Sequence, residues 1–434
     1  MYQPLMILTP EQKAILEGKE GATKAKMMEC LVRYGDVFGA KKMAEVTHKE
    51  GHLVTSFGIP MLGTVFTTMD ELITSGAIAK DGFTVDPRPC DFKNVKCNPI
   101  EKMVFSKIMY AKQDDYEKQL QAEGLVEKDA FSCTCYLPEM GNTPKEGDVL
   151  SWAESSAVVF ANSVLGAKCN RNSGILELFG SVLGYAPEFG FLTEEGRKAT
   201  WKIILKVTKR PEAQVLGSAI GMKVIDEVPY VEGLDAFLKP LPDEDTIAYL
   251  KDFGAATASN GAVGLYHIDG ITPEAKRLGE KGLLKKDYQT YVIDDAELER
   301  VYRSYPILWG RKEGKAQKAF IGCPHLTYHQ LQKWTLRLGK ALEEAGRKKL
   351  KVDTVLTCAP AVRKKFEATS EYQKLLSYGA HLSSICPLMY MNNPLCAKKR
   401  VATNSNKLRT YSTARYYTDE EILALVSGKE GKQS

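Results

Sequence analysis

The chain has 434 residues, 44% hydrophobic and 26% charged, with a net charge of +5. That length predicts two or three domains, and that composition a globular protein able to bury large cores. The mild positive charge argues against a dedicated nucleic-acid binder, and basic runs such as residues 347–351 read as solvated helix ends.

No run approaches the roughly 18 apolar residues that a membrane span needs. No N-terminal stretch pairs a charged region with an apolar core, so the expectation is a cytoplasmic protein with no membrane contact. Its ten cysteines are then expected to be reduced, which favours metal binding or catalysis over disulfides.

The N-terminus opens with a helix capped by Thr9, with Pro10 at the first helical position. Met27, Leu31, Tyr34 and Phe38 share one face of a second helix, and Cys30 borders that face as a packing residue. Residues 48–100 are punctuated by Gly and Pro, with a strand and turns over 82–92. Residues 100–124 read as a long helix or a broken pair. Residues 153–174 begin as a helix of small residues and break into a polar loop. A strand at 200–209, a capped helix at 243–254, a strand at 261–268 and a helix opening at Thr272 follow.

The C-terminal third is the most regular. A strand at 318–322 leads into a helix from about Thr327 to Ala345. Thr327 and Gln330 form its capping box, Leu331, Trp334, Leu338 and Leu342 its buried stripe, and Gly346 its stop. A strand at 351–357, a helical stretch at 359–379, strands at 380–386 and 398–403 and a capped helix at 418–428 complete the pattern. Strands alternating with helices imply a parallel α/β sheet.

In such sheets ligands gather outside the carboxyl ends of the strands. Cys323, Cys358 and Cys386 stand at three of those ends, and Asn404 and Ser405 at the fourth. Cys323 also precedes a helix, whose positive end is expected to stabilise a thiolate. Thiols from separate segments, with no CxxC pair, suit an iron–sulfur cluster better than a structural zinc. For each thiol taken alone, the competing reading is a small buried packing residue. Cys133 and Cys135 form a CxC pair that can supply a further ligand. No P-loop, dinucleotide fingerprint, nucleophile elbow or HExxH motif is present.

Over nearly its whole length the chain resembles aconitase X, a family of hydro-lyases related to aconitase. The segments that carry the likeness run in order: THKEGH around His48, SCTCYLPEMGN around Cys133, and SSAVVFANSVLGAKCNRNSG with Asn162, Ser163, Lys168, Asn170 and Arg171. YHIDGITPEA with His267, IGCPHLT with Cys323, SSICPLMY with Cys386, and VATNSNK with Asn404, Ser405 and Lys407 follow. The chain departs from the family pattern at Lys168, where Arg is usual, at Cys169 for Thr, at Cys135 for Pro, and at Arg409-Thr410 for an Ala-His pair.

The resemblance implies an aconitase-like multi-domain α/β architecture, with parallel sheets flanked by helices and without the small swivel domain. One catalytic region would span 1–434, with sub-boundaries near 200 and 315. It implies an iron–sulfur cluster, 2Fe-2S or 4Fe-4S, on Cys133, Cys323 and Cys386. Those sulfurs would meet around one incompletely coordinated iron, with Cys358 a bystander. The implied reaction is dehydration of a β-hydroxy acid such as 5-phosphomevalonate or cis-3-hydroxy-L-proline, with iron as Lewis acid.

His48, Lys168 and Lys407 are the catalytic candidates. Asn170, Arg171 and Ser405 would help hold the carboxylate, and Asn162, Ser163 and Asn404 shape the loops. His48 and His267 would assist the leaving group as acids. In the family a small swivel-domain subunit carries a serine proposed as base. The chain ends soon after Lys407, so the expectation is a large subunit completed by that partner. The competing readings are a zinc or redox-thiol protein without dehydratase activity, and an inactive scaffold for a small partner.

Overall fold

The computed structural model describes residues 2–54, 58–310 and 314–429. Among these, no helix is long and apolar enough to cross a membrane. The N-terminal helix Pro10–Leu16 carries its Thr9 cap as a full capping box with Gln12. In the next helix, Ala22–Val37, the buried stripe runs through Met27, Met28, Leu31, Val32 and Gly35. That stripe leaves Cys30 on the outer side, exposed, which corrects its reading as a packing residue. Phe38 is also exposed and stacks on Phe189 at 4.9 Å. The 100–124 stretch is broken: Pro99–Met103 and Gln113–Glu123 are separated by a π-helical turn over Val104–Met109.

A short parallel pair, Gly51–Leu53 with Phe83–Val85, lies at the centre of this N-terminal region. Isolated bridges extend it, from His52 to Trp152 and from Val85 to Phe131. Residues 199–294 hold a four-stranded parallel sheet in the order His267–Ile268, Pro229–Glu232, Ala199–Lys206, Leu284–Asp294. Two helices beside it, Ala213–Val224 and Glu244–Asn260, cross closely. A Cβ at Gly217 would lie 2.4 Å from the Phe253 carbonyl oxygen, so only glycine allows that approach.

The strand expected over 261–268 is reduced to its last two residues. The backbone before it bonds instead to other partners. Ala262 N donates to Ile225 O, Gly264 O accepts from Asn162 Nδ2, and Tyr266 N donates to Ser163 Oγ.

The third sheet has five parallel strands in the order His381–Ser383, Asp353–Cys358, Lys318–Leu326, Val401–Thr403, Arg415–Tyr416. The helix Tyr328–Glu344 follows with its Thr327/Gln330 capping box, and Leu331, Trp334, Leu338 and Leu342 are buried on one face. Each such side chain contributes about 2 kcal/mol of hydrophobic stabilisation. Residues 359–379 split into Pro360–Glu367 and Ser370–Ser377, the second capped by Thr369.

The strand Lys318–Leu326 runs past Gly322 to Leu326. Cys323 therefore sits inside the strand, beyond its expected end at Gly322, and ahead of the Thr327 cap. The bend comes from Gly322, whose φ is 108° and whose Cβ, were there one, would lie 2.5 Å from Thr357 O.

Candidate active site

Cys133, Cys323 and Cys386 line one cavity of about 370 Å³. Each comes from a different segment. Cys133 follows the Phe131 bridge to the short N-terminal sheet, Cys323 lies on the long strand of the third sheet, and Cys386 caps the helix Pro387–Asn392. Backbone bonds tie the segments together: Cys386 N donates to Arg88 O at 2.9 Å, and His325 N to Cys133 Sγ at 3.4 Å. The Ser405 hydroxyl is hydrogen-bonded to the Cys323 thiol.

Burial pushes all three thiols up, Cys386 to about 12, and the carboxylates of Glu154 and Asp86 push Cys133 further. On Cys323, the Lys407 ammonium and Ser405 pull the other way without reversing the rise. The helix-stabilised thiolate expected at Cys323 is thus corrected: desolvation wins over any dipole four residues away.

Among the described residues, no group of three or more His, Cys, Asp or Glu side chains converges tightly enough to hold one metal ion. This corrects the expectation of three sulfurs sharing a single iron. The donor set still fits an iron–sulfur cluster. In a cluster the thiolates bind different irons and stand further apart than ligands of one ion. Among the described residues, three thiols and no fourth line the cavity.

Lys407 is the buried cation of the cavity. Its Nζ pairs with Glu154 Oε1 and lies 3.4 and 3.5 Å from the Ser155 and Ser156 hydroxyls. Burial lowers its pKa, and Glu154 and Asp86 more than reverse that, so it is held charged. Burial would raise the Glu154 carboxyl, but Lys407 overrides it and holds it at about 2. Glu154 also accepts from Ala157 N at 2.7 Å as the N-cap of the helix Ser155–Phe160. Arg171 lines the same cavity and is exposed.

The other expected site residues lie elsewhere. Asn162 is buried, donating to Cys169 O and Gly264 O, and Ser163 accepts from Tyr266 N. Asn170 braces Phe189 and Phe191. Lys168 bridges Val149 through its backbone and is absent from the cavity lining. His267 is buried against Arg197 O at 2.8 Å. Burial holds it down at about 4, so near pH 7 it is neutral and no acid. His48 sits behind the cavity, its Nε2 2.7 Å from Asn142 Oδ1. Asn404 lines a separate groove and donates to Asp419 Oδ1 at 2.8 Å. Cys358 is buried in the core of the third sheet and Cys135 in the core beside Tyr136.

Three cavity residues went unread in the sequence. Glu154 had a cap signal, standing directly before the small-residue helix. Asp86 ends the strand Phe83–Val85, the position where ligands gather in parallel sheets. Asn172 lines the cavity with its amide fixed on both ends. It accepts from Tyr34 Oη at 2.8 Å and donates to Glu177 Oε1 at 2.6 Å.

A cavity lined by three thiols and a buried lysine, between the N-terminal region and the five-stranded sheet, defines a site of soft donors beside a cation. Family models for the first, second and third domains of aconitase X match residues 5–195, 200–303 and 317–422. The chain belongs to the aconitase X family. It is 31% identical over 414 residues to the phosphomevalonate dehydratase large subunit of Aeropyrum pernix, covering 94% of this chain and 95% of that one. The large subunit of the same name from Thermococcus kodakarensis is 29% identical with the same coverage. A cis-3-hydroxy-L-proline dehydratase of Hypocrea jecorina is 28% identical over 65% of this chain and 46% of its own length. The crystal structure of Thermococcus kodakaraensis aconitase X in its holo-form superposes with a TM-score of 0.78. It is 26% identical and covers 97% of this chain and all of that one.

Proposed function

We propose that this chain is the large subunit of an aconitase X hydro-lyase that removes water from a β-hydroxy acid, with 5-phosphomevalonate as the first candidate. The single observation that carries the reading is the convergence of Cys133, Cys323, Cys386 and the charged Lys407 on one cavity. The substrate class is supported by the large-subunit relatives, which this chain matches along 94% of its length.

The three thiols would hold an iron–sulfur cluster, which when bound supplies a Lewis-acidic iron position for the substrate's oxygens. The chain's own residues supply the rest. Lys407, fixed by Glu154 and two serine hydroxyls, offers an ammonium to a carboxylate without reorganising. Arg171 offers a guanidinium at the same cavity, suited to a phosphate or carboxylate at the far end of the substrate. Holding two anionic ends fixes the carbon that loses its proton relative to the carbon that loses hydroxide. In the elimination the Cα–H bond gives up a proton and the Cβ–O bond leaves with its electron pair, giving an alkene and water. A small subunit would complete the site.

Anaerobic co-expression with the small subunit and incubation with 5-phosphomevalonate tests this reading. Loss of one water from the substrate supports it. A complex that carries iron but leaves 5-phosphomevalonate and cis-3-hydroxy-L-proline unchanged refutes it, and a colourless zinc adduct favours the thiol-protein alternative.

A further inference from the structure

Behind the cavity lies a row of buried polar groups that the site as described does not use. Asn142 is fully buried. Its Nδ2 lies 3.0 Å from the Gly51 carbonyl, which can only accept, so that end of the amide is the donor. Its Oδ1 therefore faces His48 Nε2 at 2.7 Å and receives a hydrogen from it. The second Nδ2 hydrogen points at Thr84 Oγ1, 2.9 Å away. Thr84 then has its own hydrogen to give. His52 Nδ1 is 2.9 Å away, while Gly51 O is 3.4 Å away and already accepts from Asn142. The Cys135 thiol also meets this hydroxyl, and burial keeps its proton on sulfur, so it can donate to Thr84 rather than accept.

A hydroxyl that donates to Nδ1 leaves the His52 proton on Nε2. His52 is fully buried, and its Nε2 has no hydrogen-bond partner among the described residues. It stands 3.6 Å from Asp86 Oδ1, which is buried and likewise unpartnered. With the Asp86 proton on its other oxygen, Oδ2, an N–H facing Oδ1 is attractive, whereas a ring lone pair in that place would be repulsive. Both ends of the row thus require the same tautomer. Asp86 itself lines the cavity with Cys133, Cys386 and Lys407.

We propose that Asp86 is a catalytic carboxyl of this chain, and that His52 is its positioning residue, set in the Nε2–H tautomer by the one-way row His48, Asn142, Thr84. The proposal rests on the dehydratase reading for the identity of the reaction. Asp86 gives its proton to the hydroxide as the Cβ–O bond breaks with its electron pair, so water leaves and a carboxylate remains. The His52 Nε2–H stabilises that carboxylate. The proton lost from Cα goes to the base of the completed site, and exchange with solvent restores both groups. Burial raises the Asp86 pKa, Glu154 adds to the rise, and His52 and Lys407 pull the other way.

The tautomer is read directly by nitrogen NMR of the full chain labelled in its six histidines. The proposal expects the His52 proton on Nε2. A proton on Nδ1 overturns it, and this readout stands whether or not the complex dehydrates anything. Failure of the dehydratase reading is therefore distinguishable.

In the active complex, Thr84→Val is expected to lower kcat about tenfold with KM within about twofold, and Thr84→Ser to restore it. The basic limb of the kcat profile should move to higher pH in Thr84→Val, because losing the His52 donor destabilises the Asp86 carboxylate and raises the pKa of its acid. Asp86→Asn should cost about 10²-fold or more in kcat. A Thr84→Val enzyme with wild-type kcat and pH profile, or an active Asp86→Asn enzyme, contradicts the proposal.

Discussion

Lys407 and Glu154 form a buried ion pair whose two partners depend on each other. Lys407→Met would leave the Glu154 carboxylate buried and uncompensated, at a cost of about 3–5 kcal/mol. Glu154→Gln alone would strand the ammonium in the same way. The double variant should recover most of the stability in chemical denaturation while remaining inactive, since the charge proposed to meet the substrate is gone. The thiols divide in the same manner. Iron content after anaerobic purification should fall sharply in Cys323→Ala and Cys386→Ala. It should stay at the wild-type level in Cys358→Ala, because Cys358 is a core residue outside the cavity lining. A Cys386→Ala chain with full iron would remove that residue from the ligand set.

At the scale of elements, the regular third of the chain was legible because each cue had a local cause. The Thr327/Gln330 box, the Leu331 to Leu342 stripe and the stop at Gly346 all act within one helix. Strand ends then brought Cys323 and Cys386 to one edge without any long-range information. Cys133 needed the family resemblance, since it follows a single bridge at Phe131 and no readable strand. Asp86 stayed hidden because the strand before it is three residues long. Other motif residues lie away from the cavity for a different reason. Asn162, Ser163 and Asn170 sit beside Arg171 in sequence, but their side chains satisfy buried backbone groups that hold the loop. Asn404 and Ser405 are neighbours at a strand end, so their side chains leave on opposite sides, one to Asp419 and one to Cys323. The bend at Gly322 is the element-scale test. Gly322→Ala would place a methyl 2.5 Å from Thr357 O at a φ of 108°. Loss of iron with retained far-UV circular dichroism is the expected outcome, because Cys323 is carried by that bend.

At the scale of the whole molecule, two buried carboxyls make stability depend on pH. Glu123 is fully buried with both oxygens unpartnered among the described residues, and burial raises it to about 8. Burial also raises Glu177 to about 8, against the hydrogen bonds from Ser151 and Asn172. A carboxyl raised on folding binds its proton more tightly in the native state. Between the ordinary value of 4.5 and about 8 the folded chain holds more protons, so stability falls as pH rises through that window. Glu123→Gln should match the wild type at pH 5 and exceed it at pH 8.5 by about 1–3 kcal/mol in denaturant unfolding.

The account of the whole chain rests on the cavity being where water leaves a hydroxy acid. Proton NMR of 5-phosphomevalonate mixed with the anaerobic two-subunit complex tests this most directly, with wild type and Lys407→Met run side by side. Growth of an alkene signal with the wild type and none with Lys407→Met is the predicted result. An alkene formed equally fast by both would contradict the account.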